Sequence, residues 1–163
     1  MATAGYTPQG GTAVQITGAT QENPAGLLII LPEQGTINSA SFYGRYTVNP
    51  KATTVQIYAG TAGAKGALLH TSATADLSST SFALETRNFS SPVLNAGTYW
   101  LQLNMTAEGP GSGLGEGARD TGGATNTGYQ LNDVGGVVYD TNQYSIYVTY
   151  TPTATDGFNI ALV

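Results

Sequence analysis

The run Pro92-Val93-Leu94-Asn95-Ala96-Gly97-Thr98-Tyr99-Trp100-Leu101-Gln102-Leu103 decides the architecture of this chain. Asn95, Ala96 and Gly97 form a turn signal. After them Tyr99, Leu101 and Leu103 alternate with Thr98, Trp100 and Gln102. A period of two sends the first set to one face of a β-strand and the second to the other. This is the pattern of an antiparallel β-sandwich, and it puts the sole tryptophan on a strand. Which face is the core stays open at this point. Trp100 either lies against a second layer, as in a scaffold, or stands exposed, as in a binding module.

Outward from that strand the same pattern recurs. Strand-like runs occupy Thr12 to Thr17, Leu27 to Leu31, Ile37 to Val48, Thr53 to Ala59 and Ala67 to Thr71. A short one opens at Phe82, a long one spans Val137 to Tyr150, and Phe158 to Val163 closes the chain. Asn49-Pro50 between two of these runs suggests an antiparallel hairpin or meander. No window carries a helical period. The expected fold is all-β: an antiparallel, jelly-roll-like β-sandwich, with residues 1–11 as an extended N-terminal arm and 12–163 as a single domain. Residues 106–136 read as a long glycine-rich loop inserted between two good strands. Ordering it costs on the order of 1–2 kcal/mol per residue, most for glycine. Leu114, Tyr129, Leu131 and Val134 offer little burial in return, so the loop is either mobile or ordered by a neighbouring subunit or ligand.

Composition narrows the function. The chain has 163 residues, no cysteine, and 9% charged residues against roughly 25% in an ordinary soluble domain. With 40% apolar content it can bury a core, so disorder is not expected. Its five Lys and Arg are scattered and the net charge is −5, which excludes a phosphate-neutralising groove or a polybasic membrane patch. No apolar run is long enough for a spanning helix. The absence of cysteine removes disulfides, thiolate metal sites and a cysteine nucleophile together. It also favours a reducing compartment, and the N-terminus carries no secretory pattern.

Candidate chemistry is sparse. Gly113-Leu114-Gly115-Glu116-Gly117-Ala118 mimics a dinucleotide fingerprint but lacks the flanking strand and helix, and Glu116 would repel phosphate. His70, the only histidine, has no nucleophile elbow to serve. Glu85 paired with Glu108 or Glu116 would be a glycosidase arrangement resting on no spacing signal. Asp120, Asn126, Asn132, Asp133 and Asp140 are hard-oxygen donors without a calcium-loop spacing. The sequons at Asn88 and Asn104 match chance frequency in so Asn-, Ser- and Thr-rich a chain. The reading is therefore no catalytic residue, no cofactor and no metal. Ten tyrosines, including Tyr43, Tyr46, Tyr58, Tyr139, Tyr144, Tyr147 and Tyr150, either pack or stack on sugar rings, and packing is preferred. The residues expected to make contacts are Tyr6, Trp100, Leu114, Tyr129, Leu131 and Phe158.

Thr53-Thr54-Val55-Gln56-Ile57-Tyr58-Ala59-Gly60, Gly66-Ala67-Leu68-Leu69-His70-Thr71 and Leu94-Asn95-Ala96-Gly97-Thr98-Tyr99-Trp100-Leu101 together resemble the β-sandwich domains of bacterial surface proteins and phage virion proteins. The resemblance covers roughly residues 36 to 104 and carries no catalytic motif. It implies a non-enzymatic structural protein. Without a signal peptide, a C-terminal anchor or a family counterpart for the glycine-rich insertion, the first expectation is a virion component such as a capsid decoration (cement) or head-fibre protein. That protein would assemble in the host cytoplasm as a homo-oligomer, for example a trimer, on the major capsid protein. Arm, loop and edge strands would supply the contacts. The alternative is an extracellular carbohydrate-binding or adhesive module of a tail fibre or bacterial surface protein, with a glycan as partner.

Overall fold

A computed structural model describes residues 1–17, 24–106, 113–123, 127–131 and 137–153. The described residues hold fifteen strands and no helix. In chain order the strands are β1 (Ala2–Gly5), β2 (Thr12–Thr17), β3 (Ala25–Leu31), β4 (Gly35–Tyr46), β5 (Ala52–Thr61), β6 (Ala64–Thr71), β7 (Ala75–Asp76) and β8 (Ala83–Asn88). They continue as β9 (Val93–Leu94), β10 (Gly97–Met105), β11 (Gly115–Asp120), β12 (Gly128–Leu131), β13 (Val137–Asp140), β14 (Gln143–Tyr144) and β15 (Ile146–Pro152). One sheet has eight strands and runs β1-β15-β4-β11-β14, with β2 on β11 and β8 and β9 on β4. The other has seven and runs β13-β12-β3-β10-β5-β6, with β7 on β5. The all-β antiparallel sandwich expected from the alternating runs is the observed fold.

Alternation fills the space between the sheets. From the seven-stranded sheet come Leu27, Ile29, Leu31, Val55, Ile57, Leu101, Leu103 and Met105; from the other come Ile37, Ala40, Phe42, Ile146, Val148 and Tyr150. Each fully buried aliphatic side chain here contributes about 1.5–3 kcal/mol of transfer free energy. Ile37 and Ala40, three residues apart, both point inward because the β4–β15 register shifts at Thr149/Tyr150. At one margin the core turns ionic. Arg87 lies 3.3 Å from Glu85, donates to the Thr53 hydroxyl and covers the Phe42 ring, while Ser78 closes the Glu85 carboxylate.

Three segments differ from their sequence reading. The Asn49-Pro50 turn joins no hairpin: β4 belongs to one sheet and β5 to the other, so the turn carries the chain across the sandwich. The run from Val137 to Tyr150 is three strands, because Asp140 accepts from the Asn142 amide at 2.9 Å and folds a turn that moves the chain between sheets. The glycine-rich loop expected over 106–136 contributes β11 and β12. In β11, Gly115, Glu116 and Gly117 pair with Tyr46, Arg45 and Gly44, and β2 pairs along its other edge. Glycines hold a place there because ladder bonds need no side chain. Arg45 and Glu116, directly opposite one another, add an ion pair at 2.6 Å.

The N-terminal arm is held by its own chain. β1 pairs with β15, and Tyr6 donates from its hydroxyl to Asp120 at 2.7 Å. The amides of Gly11 and Gly10 donate to Asp120 and to the Ser145 hydroxyl. These bonds hold the Asp120 carboxyl below the usual carboxylate range. The closing strand expected over Phe158 to Val163 lies outside the described residues.

Candidate functional site

β3, β5 and β10 have a second face, turned away from the other sheet. It carries Gly26 and Leu28 from β3, Gln56 and Tyr58 from β5, and Trp100, Gln102 and Asn104 from β10, with Gln56 opposite Gln102 and Tyr58 opposite Trp100. In most sandwiches such a face is wet. Here it is roofed by Tyr129 of β12, Tyr139 of β13 and the β5–β6 hairpin, so Trp100 and Tyr129 are both 0% exposed.

Two glycines make the roof possible. A Cβ at Gly26 would sit 2.2 Å from the Tyr129 ring, so the ring lies flat on the β3 backbone. Gly60, at φ +157°, lets the indole and the Ala64 carbonyl approach to distances no side chain permits. The Trp100 indole N–H then donates to the carbonyls of Thr61 at 3.1 Å and Ala64 at 3.3 Å, clamping the hairpin tip. Trp100 meets Tyr129 edge-on at 5.0 Å and Tyr139 at 5.6 Å. The Tyr139 hydroxyl accepts the Lys65 amide at 2.6 Å, which ties the hairpin to β13.

Gln102, 4% exposed, is the polar hub. Its Oε1 accepts from the Tyr129 hydroxyl and from Lys65 Nζ at 2.7 Å. Its Nε2 donates to Asn104 Oδ1 at 2.7 Å and Gln56 Oε1 at 3.2 Å. Gln56 Oε1 also takes the Tyr58 hydroxyl at 2.7 Å. The hydrogen-bonding capacity of the Gln102 amide is thereby fully used. Lys65 Nζ sits 4.1 Å above the Tyr58 ring and 5.2 Å from that of Tyr129. Burial pulls the Lys65 ammonium down from its ordinary pKa and pushes the Tyr129 hydroxyl far up. At the rim Tyr58, Gln56, Asn104 and Lys65 are half-buried and reachable from solvent. The result is a rigid aromatic floor under a rim of amides, one phenol and one ammonium. It can take the flat apolar face of a ring and hydrogen-bond its edges.

Of the residues expected from sequence, the structure brings Trp100 and Tyr129 together in this layer, but as its floor. Neither ring reaches solvent. Tyr6 sits on the arm beside Asp120, and Leu114 is half-buried with its backbone bonded to Thr47. Leu131 ends β12, its side chain outside the described set, and Phe158 lies outside the described residues. The reading missed Gln56, Tyr58, Lys65, Gln102 and Asn104 as a group. The legible signal was Gln56 and Tyr58 alternating on β5 in step with Trp100 and Gln102 on β10. The carboxylates weighed for catalysis or calcium are committed elsewhere: Glu85 to Arg87 and Ser78, Glu116 to Arg45, Asp120 to the arm and Asp140 to its turn. Glu108, Asn126, Asn132 and Asp133 fall outside the described residues.

No protein-family model matches the chain, and no curated protein matches it. Solved structures do. One is the Clostridial cysteine protease Cwp84 after propeptide cleavage, with a TM-score of 0.70 and 11% identity over 88% of this chain and 38% of that one. A second holds the cysteine protease and lectin-like domains of Cwp84, a surface layer associated protein of Clostridium difficile, with a TM-score of 0.61 and 10% identity over 87% of this chain and 36% of that one. The chain thus spans less than two-fifths of the proteins it resembles. At these identities the likeness is one of fold: this β-sandwich has the architecture found within a bacterial surface protein.

Proposed function

We propose that this chain is a non-enzymatic carbohydrate-binding or adhesive module of a cell-surface protein, and that it binds through the outer face of the seven-stranded sheet. The observation that carries this reading is the Tyr58–Gln56–Asn104–Lys65 rim over a Trp100–Tyr129 floor held rigid by Gln102. Ring stacking on a phenol and edge-on bonds to amides are what sugar recognition requires. The fold likeness to a surface protein with a lectin-like domain supports the same reading. It favours the surface module over the capsid-decoration role, for which the named relatives offer nothing. The chain has no cysteine, so the protease chemistry of its structural relatives has no nucleophile here.

The test is a glycan array with the purified chain, followed by calorimetry on the hits. Binding should appear, and Tyr58→Ala should weaken it by about tenfold with the melting temperature nearly unchanged. No glycan binding, together with copurification on capsids, would return the virion role.

A further inference from the structure

The rim has a fixed hydrogen-bond polarity, and a single cation sets it. Lys65 can only donate, so the Gln102 carbonyl must turn toward Nζ, where it also takes the Tyr129 hydroxyl. The Gln102 amide nitrogen is then forced toward Gln56 and Asn104. Asn104 answers with Oδ1, which leaves its Nδ2 as a donor buried with no acceptor. Both ends of the chain Lys65–Gln102–Asn104 therefore carry unspent donors. Such an unmet donor is rare in a folded protein; closed off from solvent at Asn104 Nδ2, it leaves the Lys65 end as the one a ligand can meet.

Charge points the same way. Arg45 pairs with Glu116, Arg87 with Glu85, and Lys51 is 0% exposed. Arg119 lies against the Tyr144 hydroxyl with its Nε buried and closed to solvent. Lys65 alone combines exposure to solvent with partners that are an amide oxygen and two aromatic rings, and among the described residues no carboxylate pairs with it. A half-buried ammonium over a phenol ring fits a ligand that brings both an anion and a ring.

Resting on the glycan-binding reading above, we infer that the ligand class is an acidic sugar, with its carboxylate on Lys65 Nζ and its ring against Tyr58. A charge-assisted bond to one monoanionic carboxylate matches one ammonium. The neutral amides would then bond the hydroxyls around it.

Calorimetry at low salt on two matched pairs tests this: trigalacturonate against its methyl ester, and sialyllactose against lactose. The wild-type chain should bind the acid of at least one pair about tenfold or more tightly than its neutral counterpart. Lys65→Met should bring the acid and its neutral counterpart to equal affinity, and Lys65→Arg should preserve the preference. Thermal melts confirm that each variant folds. Equal binding within both pairs, or a preference that survives Lys65→Met, overturns the inference and leaves the glycan reading standing. Binding to no glycan on the array removes both.

Discussion

The two faces of β3, β5 and β10 are built by the same strands and obey opposite rules. The inner face presents Leu27, Ile29, Val55, Ile57, Leu101 and Leu103, aliphatic groups that pack against the facing sheet without direction. The outer face presents Trp100, Tyr58, Gln56, Gln102 and Asn104 under Tyr129 and Tyr139, joined by hydrogen bonds that leave Asn104 Nδ2 as a buried donor without a partner. Aliphatic packing tolerates rearrangement of similar volumes. A hydrogen-bonded aromatic layer tolerates little, because losing one member strands the partners of another. The inner face therefore supplies stability, and the outer one supplies geometry.

The largest expected break is Trp100→Ala, which empties the centre of the outer layer and should cost about 3–5 kcal/mol in urea unfolding. Leu101→Ala, its neighbour on the inner face, should cost about 2–5 kcal/mol. The two part company on function. A partly stable Trp100 variant should lose the Thr61 and Ala64 clamp and with it the rim, while a folded Leu101 variant should keep ligand binding.

Next comes pH, which acts on one phenol in each region. Tyr144 in the core is pushed up to about 12, chiefly by burial and then by the Asp140 carboxylate, and Tyr129 in the outer layer is raised further by burial. Both phenols ionise in the unfolded chain near their ordinary value. Their stabilisation is complete below pH about 10 and is lost as the pH rises beyond it. Denaturation between pH 8 and 12 should show a fall of about 2–3 kcal/mol from Tyr144 alone. Tyr144→Phe should remove that part of the fall and Tyr129→Phe the remainder due to its own phenol, and a variant that leaves the profile unchanged would remove its phenol from the account.

A smaller break is Gly26→Ala. The new methyl meets the Tyr129 ring at 2.2 Å, and the strain should cost about 1–3 kcal/mol. Tyr129 would be driven off Gln102, so the change should also loosen the hairpin in hydrogen exchange. Retained stability and unaltered exchange at Lys65 would show that the outer layer yields as readily as the inner one.

The smallest effect lies outside both faces. Asp120→Asn should speed amide exchange at Gly11 and free the arm while the unfolding midpoint stays put. Acidification through the depressed Asp120 pKa should do the same to the wild type. A large loss of global stability would show that the arm belongs to the core.

Most of the fold was legible because alternation is a local property. Residues 12–17 were read as a strand and are β2, and the Trp100 strand is β10. The runs Thr53 to Ala59 and Ala67 to Thr71 were read as strands and pair with one another as β5 and β6. The glycine-rich strand β11 was not legible, since its stability comes from ladders to β2 and β4, distant in sequence, and glycine carries no signal of them. The site was half legible. Trp100 and Tyr129 stood out by residue type, but Lys65 and Gln102 become a pair only when the hairpin folds over β10.

By itself the sequence determined an all-β sandwich with a low-charge surface and no cysteine chemistry, because composition and a period of two are written in the chain. The question it left open, which side of the Trp100 strand is the core, only the tertiary structure decided. Leu101 and Leu103 face the opposite sheet, while Trp100 faces away from it and is buried all the same. Period two can assign a residue to a face; it cannot say what covers that face. Here the cover comes from β12, β13 and a hairpin tip, brought over Trp100 by contacts 29 or more residues away in the chain and made possible by the missing side chains of Gly26 and Gly60.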